Sequence, residues 1–405
     1  MRRLLWALCL LPLAACGGRL DEPDDLVCPL LPVVASEAPE VSQGTTMSGE
    51  EAQVFGMGAM FDQRAVEAFR AELERAERAN RPAPLPRVDV AILSAGGQFG
   101  AFTAGFMKGW SENTVEPRPE AFDIVTGVST GALLAPFVFA GSQYDDDLAA
   151  VYNGVDEREI FRRRSPLELI SSPSLWDPAP LYEIIDSRLT PQFEQVLQEA
   201  SAERTLLVGA VNLRTGFFEA FDITSSVKSP LASRRDCIRE ALLASAAIPV
   251  AFPPRRLNGE YYIDGATRQG VFLRGLATAR VEPTIYIFLN NASGFPTEDV
   301  DYRLAPLAGR TTQILSDELL RASAIDTVQF AKDQGWRIRG VFVPDIWPDD
   351  SCVNDQGGKL SFCASFTSEL YAAGRRIASG GRIPWLDADE LIAELQRRRS
   401  IESQF

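Results

Sequence analysis

A serine flanked by glycines at the second position on either side is the first feature of this sequence that points to chemistry. The apolar run 124–128 leads through Gly127 to Ser129, and a run of small apolar side chains continues after Gly131. This order predicts a strand, a sharp turn and a helix, which is the nucleophile-elbow pattern G-x-S-x-G. Such a turn exposes the serine hydroxyl and places the helix N-terminus, with the N–H of Thr130, beside a developing anion.

The chain has no histidine among its 405 residues. This excludes Ser-His-Asp triads, Cys-His nucleophiles and histidine-based zinc sites. A reactive Ser129 must therefore take its base from a carboxylate or a lysine. Asp264 is the natural partner, because the short apolar run 261–263 leads as a strand into Asp264-Gly265-Ala266. An Asp-Gly pair by itself is most often only a turn.

A glycine-rich turn follows the first strand of the domain. Residues 88–93 predict a buried strand, and Gly96, Gly97 and Gly100 follow it at the start of a helix. A turn of this kind presents N–H groups to an anion, which would also suit a phosphate. However, the turn lacks the Gly-Lys-Ser/Thr ending of a phosphate-binding loop. Neighbouring parallel strands would bring it to Ser129 at their carboxyl ends, so we expect an oxyanion hole.

These elements together resemble the patatin-like phospholipase family. The matching pieces occur in the family's order over roughly residues 87–290: the turn from Gly96 to Gly100, Gly127-Val128-Ser129-Thr130-Gly131, the Ala-Ile-Pro to Phe-Pro-Pro stretch 247–254, and Asp264-Gly265-Ala266. The resemblance implies an α/β fold, a three-layer α/β/α sandwich with a mostly parallel central sheet.

The same resemblance implies a Ser–Asp dyad, with Ser129 as nucleophile and Asp264 as base. It assigns the oxyanion N–H groups to Gly96 and Gly97, to which the elbow adds Thr130. The implied reaction is hydrolysis of acyl esters in lipids through an acyl-enzyme, without metal or other cofactor.

Two positions depart from the family's pattern. Ala95 stands where the turn usually opens with glycine, and Phe99 stands where an arginine usually precedes the last glycine. Alanine replaces glycine at modest cost if its φ is negative. Loss of the arginine removes a positive charge near the anion or a lipid phosphate. A catalytically weak or inactive binding or assembly module is therefore the alternative to a lipid acyl hydrolase. A serine protease is a more distant third.

The N-terminus predicts export and a lipid anchor. Two arginines precede an apolar stretch, residues 4–13, that is too short to span a bilayer. Leu13-Ala14-Ala15-Cys16 resembles a bacterial lipoprotein signal, which implies cleavage after residue 15 and acylation of Cys16. Gly17 after the cysteine favours the outer membrane. We expect a signal peptide over 1–15, a proline- and acid-rich flexible tether over 16–60, and one hydrolase domain over 61–400.

Net charge and cysteine content limit the kinds of partner and of covalent cross-link that the chain is expected to have. The net charge of −15 argues against nucleic acid and against electrostatic docking on anionic lipid. Apart from Cys9 in the leader and Cys16, four cysteines remain. Cys352 and Cys363 flank a polar loop and suit a local disulfide, which leaves Cys28 and Cys237 as the other pair. Their spacing does not suggest a metal site.

The remaining patterns predict scaffold. Residues 141–200 form a polar, mostly helical insertion in which Ile170, Leu175, Trp176 and Leu181 either pack on the body or cover the site. Predicted strands are 206–211, 284–289 and 338–343, with 215–221 as a hairpin partner of the first. Predicted helices are 65–81, 311–332, 366–378 and 388–398.

Overall fold

A computed structural model provides the three-dimensional structure of the chain. It describes residues 26–28, 33–34, 87–165, 167–231, 233–273, 282–291, 300, 302–346, 352 and 362–402. The signal peptide, Cys16 and the predicted helix 65–81 lie outside these residues.

The described strands form one large sheet and a short hairpin. In chain order the strands are β1 (Val33–Val34), β2 (Arg87–Leu93), β3 (Ile124–Val128), β4 (Arg162–Arg163), β5 (Trp176–Asp177), β6 (Thr205–Asn212), β7 (Phe218–Asp222), β8 (Arg255–Leu257), β9 (Glu260–Asp264), β10 (Glu282–Leu289) and β11 (Arg337–Phe342). The large sheet has the order β1-β7-β6-β3-β2-β10-β11; β9 also pairs with β6, and β8 pairs with β9. The strands β6, β3, β2, β10 and β11 are parallel, while β7 and β9 run antiparallel to β6.

The described helices are α1 (Gly100–Ser111), α2 (Thr130–Ala140), α3 (Asp145–Tyr152), α4 (Glu157–Ile160), α5 (Ala179–Arg188), α6 (Pro191–Ala200), α7 (Ile223–Val227), α8 (Arg234–Ser245), α9 (Leu304–Asp333), α10 (Ala364–Ser379) and α11 (Ala388–Glu402). None of the helices within the described ranges is long and apolar enough to cross a membrane.

The sheet is buried on both faces. On β2, Val88, Val90 and Ile92 pack on one side with α9 and α11, whereas Ala91 and Leu93 pack on the other with α1, α2 and α8. Because successive strand residues point to opposite faces, this alternation requires helices on both sides. The predicted α/β/α sandwich with a mostly parallel sheet is confirmed.

Most predicted scaffold elements occur within a few residues of their expected ends, with two informative differences. The helix predicted over 311–332 begins at Leu304 and runs to Asp333. The hairpin partner of β6 begins at Phe218, because residues 213–217 form the turn. Helix ends and turns are set by local capping and chain reversal, which apolar periodicity does not specify.

The insertion packs largely on the body of the domain. Leu181 is buried in the main core, and the Trp176 ring stacks on Phe161 with centroids 4.0 Å apart and meets Phe252 edge-on. The backbone N–H of Trp176 donates to the Ala251 carbonyl at 2.9 Å. Ile170, by contrast, is 81% exposed. The insertion therefore braces the segment after α8 that leads towards Asp264.

Part of the segment expected as a free tether is attached to the domain. Cys28 forms a disulfide with Cys237 on α8, and β1 pairs antiparallel with β7 at the edge of the sheet. The N–H of Cys28 also donates to the Asn258 side chain at 2.8 Å. The disulfide joins the two cysteines that remained as a pair in the sequence, whereas the proline-rich composition did not reveal the strand pairing, because sheet-edge pairing is a long-range contact. A second disulfide joins Cys352 and Cys363.

We predict that the Cys28→Ser/Cys237→Ser double variant unfolds more easily than the Cys352→Ser/Cys363→Ser variant. The first bridge spans 209 residues of sequence and the second 11. In the loop-entropy view this difference in loop length favours the longer bridge by roughly 2–3 kcal/mol. Denaturant unfolding under non-reducing conditions measures it, with the wild-type chain as reference. Equal losses of unfolding free energy in both variants would contradict the prediction.

Candidate active site

Ser129 lies on a strained turn between β3 and α2. Its backbone has φ 55° and ψ −121°, a conformation that non-glycine residues rarely adopt. The turn is tight because its glycines are in backbone contact: a Cβ on Gly127 would lie 2.4 Å from the Gly131 carbonyl oxygen, and one on Gly131 would lie 2.1 Å from that of Leu93. Both glycines of the motif are therefore required by close approach.

Asp264 reaches Ser129 through the register of β6. On this strand Val128 pairs with Gly209, and Asp264 pairs with the next residue, Ala210. The chain turns away into α2 at Ser129, and the antiparallel strand β9 occupies the position that β3 leaves. The Ser129 hydroxyl then donates a hydrogen bond to Asp264 Oδ2 at 2.6 Å. The two residues are 135 positions apart in sequence.

The Asp264 carboxyl is almost completely buried. The residue is 2% exposed, and burial raises the pKa of its carboxyl to about 7, although hydrogen bonds from Ser129 and the Ala266 N–H oppose the rise. The Ala266 bond is 2.8 Å long and ends on Oδ1, so both carboxyl oxygens have a donor. A carboxyl with this pKa is a better proton acceptor at neutral pH than an exposed aspartate.

The turn after β2 lies next to Ser129 on the parallel neighbour strand. Gly96 and Gly97 have φ of 155° and 56°, and a Cβ on Gly96 would lie only 1.7 Å from the Asn290 carbonyl oxygen. Within the described residues, the N–H groups of Gly96 and Gly97 donate to no protein acceptor. They are therefore available to an anion. Gly100 begins α1 immediately after this turn.

Thr130 forms the first turn of α2 and is fixed by Tyr152. The Tyr152 hydroxyl donates to the Thr130 carbonyl at 3.1 Å and accepts from Thr130 Oγ1 at 2.5 Å. Burial raises the pKa of Tyr152, so the phenol stays protonated. A Cβ on Gly100 would lie 2.7 Å from Thr130 Oγ1, so the starts of α1 and α2 are in contact. Gly265 follows Asp264 and packs against the Gly209 carbonyl in the same way.

Three polar residues that hold these turns, Ser94, Ser245 and Asn290, were not identified from the sequence. Ser245, at the end of α8, accepts from the Ser129 N–H at 3.0 Å and donates to the Gly209 carbonyl at 2.5 Å. The Asn290 side chain donates to the Ser94 carbonyl at 2.8 Å, and its N–H donates to Ser94 Oγ at the same distance. The signal in the sequence was weak, because each is simply a polar residue at the end of an apolar run.

The structure shows how the two residues that depart from the family's pattern, Ala95 and Phe99, are accommodated. Ala95 does not have a positive φ, and its N–H donates to the Gly270 carbonyl at 3.0 Å. Alanine therefore fits there without backbone strain. The Phe99 ring meets Phe366 of α10 edge-on, with centroids 5.7 Å apart, so an aromatic contact stands where the family usually has an arginine.

Comparison with known proteins concerns the central part of the chain. Residues 91–277 match the family model described as patatin-like phospholipase. This part of the chain belongs to the patatin-like phospholipase family. It is 30% identical over 188 residues to a cGAMP-activated phospholipase of Pseudomonas aeruginosa, a match that covers 45% of this chain and 53% of that protein. The chain thus spans about half the length of this relative.

The solved structures that align with this chain have low overall similarity to it. VipD of Legionella pneumophila aligns with a TM-score of 0.36 and 14% identity, over 78% of this chain and 68% of VipD. ExoU of Pseudomonas aeruginosa, in its complex with SpcU, aligns with a TM-score of 0.27 and 13% identity, over 78% of this chain and 53% of that one.

We predict that Asp264→Asn becomes more stable relative to wild type as pH rises. Because burial raises the pKa of Asp264 from 3.8 to about 7, the native state holds this proton more tightly than the unfolded state. Its stabilising contribution is complete below pH 3.8 and is lost as pH rises through 7. The difference in unfolding free energy should therefore grow between pH 4 and 7, by at most roughly 4 kcal/mol, and then level off.

Asp146→Asn provides the control for this experiment, since the Asp146 side chain is 82% exposed. Denaturant unfolding at a series of pH values measures both variants against wild type. A pH-independent difference for Asp264→Asn would show that the buried carboxyl does not hold its proton as stated.

We also predict that Ser245→Ala lowers the free energy of unfolding by about 2–4 kcal/mol, because it leaves a buried N–H and a buried carbonyl unpaired. Ser226→Ala is the matched control: Ser226 is equally buried, but its hydroxyl only donates at 3.3 Å to the Asp222 carbonyl four residues earlier. Chemical denaturation compares the two. Equal, small effects would show that Ser245 does not hold the Ser129 turn.

Proposed function

We propose that this protein is a lipid acyl hydrolase of the phospholipase A or esterase type that uses a Ser129–Asp264 dyad. The observation that carries the proposal is the 2.6 Å hydrogen bond between Ser129 Oγ and the buried Asp264 carboxyl, in a chain with no histidine. Family membership of residues 91–277 supports the substrate class.

In the proposed mechanism, ionised Asp264 accepts the Ser129 proton as the hydroxyl oxygen attacks the ester carbonyl. The pKa of about 7 leaves a substantial fraction of Asp264 ionised at neutral pH and makes it a stronger base than ordinary aspartate. The protonated Asp264 then gives its proton to the leaving alcohol. In the second half, Asp264 accepts a proton from the water molecule that attacks the acyl-enzyme carbonyl. It returns this proton to Ser129 Oγ as the bond between that oxygen and the acyl group breaks and the fatty acid leaves.

The negative charge on the carbonyl oxygen is proposed to be stabilised by backbone N–H groups of Gly96, Gly97 and Thr130. The two glycine N–H groups have no protein acceptor in the described part of the chain, and Thr130 lies in the first turn of α2. One such donor is typically worth about 3 kcal/mol of transition-state stabilisation. Because these donors are backbone groups on glycine-constrained turns, their positions are fixed before substrate binds.

The dyad predicts that a fluorescent alkyl phosphonate labels Ser129 in the wild-type protein and that Ser129→Ala abolishes labelling. Asp264→Asn should retain the fold, since asparagine can still bond both neighbours, but lower ester hydrolysis by about 10³-fold or more. Gel fluorescence and initial rates on short-chain and phospholipid esters provide the readout. Asp146→Asn serves again as the carboxyl control.

A folded wild-type protein that is neither labelled nor active would overturn the hydrolase and favour a non-catalytic binding or assembly module. Full activity of Ser129→Ala would likewise exclude the dyad.

The labelling rate should increase with pH up to about 7 and then level off. Asp264 must be ionised to accept a proton, and burial raises the pKa of this group to about 7. Below this value the rate should fall about tenfold per pH unit. Rates measured from pH 5 to 9 test this, and a profile that is already flat at pH 5 would contradict it.

We further propose that the mature protein is exported, acylated at Cys16 and held at a bacterial membrane, with the outer membrane as the favoured location. The support is the Leu-Ala-Ala-Cys pattern and the following glycine. Metabolic labelling with a fatty acid and membrane fractionation of wild type and Cys16→Ser test the anchor. Equal fatty-acid incorporation in both would rule out acylation at this residue.

A further inference from the structure

We propose that residues 302–316, the N-terminal part of α9 with the two residues before it, dock the protein onto a lipid bilayer. They lie beside the carboxyl edge of the parallel strands, where Ser129 is found, which we call the catalytic edge. This proposal rests on the proposed function, because a bilayer is where a lipid ester would be found. The occupant of the surface is inferred from its position, its exposed side chains and its local charge.

The position follows from three hydrogen bonds near the middle of α9. The Gly270 N–H donates to Ser323 Oγ at 3.0 Å, and the Gly270 carbonyl accepts from the Ala95 N–H beside the Gly96 turn. The Asn291 side chain, just past the end of β10, donates to Asp317 at 2.7 Å. Residues 317–323 are therefore level with the carboxyl ends of β2 and β10.

The direction of α9 places its first turns outside the body. The helix ends at Asp333, and β11, which is parallel to β10, starts at Arg337. The helix must therefore run from the catalytic edge of the sheet to the opposite edge. With a rise of about 1.5 Å per residue, the segment from Leu304 to Asp317 extends roughly 20 Å beyond the catalytic edge.

This projecting segment exposes an apolar stripe, defined as Leu304, Leu307, Ile314 and Leu315. Their exposed fractions are 87%, 42%, 50% and 57%, and the four positions fall within about 100° around a helix. In the other half of α9, Leu320, Ala324, Val328 and Ala331 are buried against the sheet.

Three further exposed apolar or aromatic side chains lie on the same edge. Leu213 and Phe217, 52% and 53% exposed, belong to the turn that follows the carboxyl end of β6. Tyr302, directly before α9, is 94% exposed. Exposed apolar side chains thus lie on both sides of the site.

The local charge suits a bilayer that contains anionic lipid. Residues 302–316 include Arg303 and Arg310 and no aspartate or glutamate, although the whole chain has a net charge of −15. An apolar helix face accompanied by cationic residues is the composition of interfacial helices. The overall charge argued against electrostatic docking, but this charge is unevenly distributed: the projecting residues 302–316 contain two arginines and no acid, while Asp301, Asp317 and Glu318 flank them.

The test measures binding and hydrolysis separately. The chain without residues 1–16, which retains every described residue, is sedimented with phosphatidylcholine vesicles that contain or lack phosphatidylglycerol. All binding variants include Ser129→Ala, so that vesicles stay intact. We expect Leu304→Gln/Leu315→Gln to bind at least about tenfold more weakly. Glutamine has a helix propensity close to that of leucine, so α9 should be retained.

Val115→Gln/Leu231→Gln is the matched control. These residues are 70% and 45% exposed, and they lie near the end of α1 and the start of α8, at the edge opposite the site. This variant should bind vesicles as the parent protein does. In a Ser129-containing background, the stripe variant should keep its rate on a soluble short-chain ester and lose rate on vesicles.

The proposal is overturned if the parent protein does not sediment with either vesicle, or if the stripe and control variants bind equally. It is also overturned if light scattering shows that the stripe variant only converts a dimer to a monomer, since a second copy would then be the occupant. Failure of the proposed function has a different signature: vesicle binding with no hydrolysis of any ester.

Discussion

The removal of one carboxylate from water is the physical constraint on which the site depends. Asp264 is buried with two hydrogen-bond donors, and burial raises its pKa to about 7. The native state therefore loses stability when this group ionises, which is the state that the proposed reaction needs. The Asp264 carboxyl is held in its buried position by the pairing of β9 with β6 and by the hydrogen bonds of Ser245. Stability and activity are thus in direct opposition at this residue.

The second constraint is the close approach of backbone around Ser129. Three turns, after β2, after β3 and after β9, meet where a Cβ at Gly96, Gly131 or Gly265 would strike a neighbouring carbonyl. Polar anchors then fix the turns: Ser245 for the elbow and Asn290 for the turn after β2. Such an arrangement leaves backbone N–H groups in place without any side chain that must reorganise, which is the condition for effective electrostatic stabilisation.

A disulfide and a long helix outside the sheet connect the site to the N-terminal segment and to the proposed membrane surface. The Cys28–Cys237 disulfide joins the N-terminal segment to α8, the helix that ends at Ser245. On the other side of the sheet, α9 is bonded through Gly270 to the turn that carries Ala95 and Gly96. A chain anchored at Cys16 and docked through α9 would hold its catalytic edge against the bilayer, so the two proposals for membrane contact are complementary.

The sequence by itself determined the residue types at the site, the parallel α/β architecture and most strand positions. Glycine spacing, the absence of histidine and continuous apolar runs each have direct physical meaning without coordinates. Only the tertiary structure decided that Asp264 takes the place β3 leaves on β6, that Ser245 and Asn290 hold the turns, and that residues 26–28 are fixed to the body. It also decided that α9 extends beyond the sheet. Sequence periodicity reports which side of an element is buried, but the contacts that define these features join residues far apart in the chain, and their geometry exists only after the elements pack.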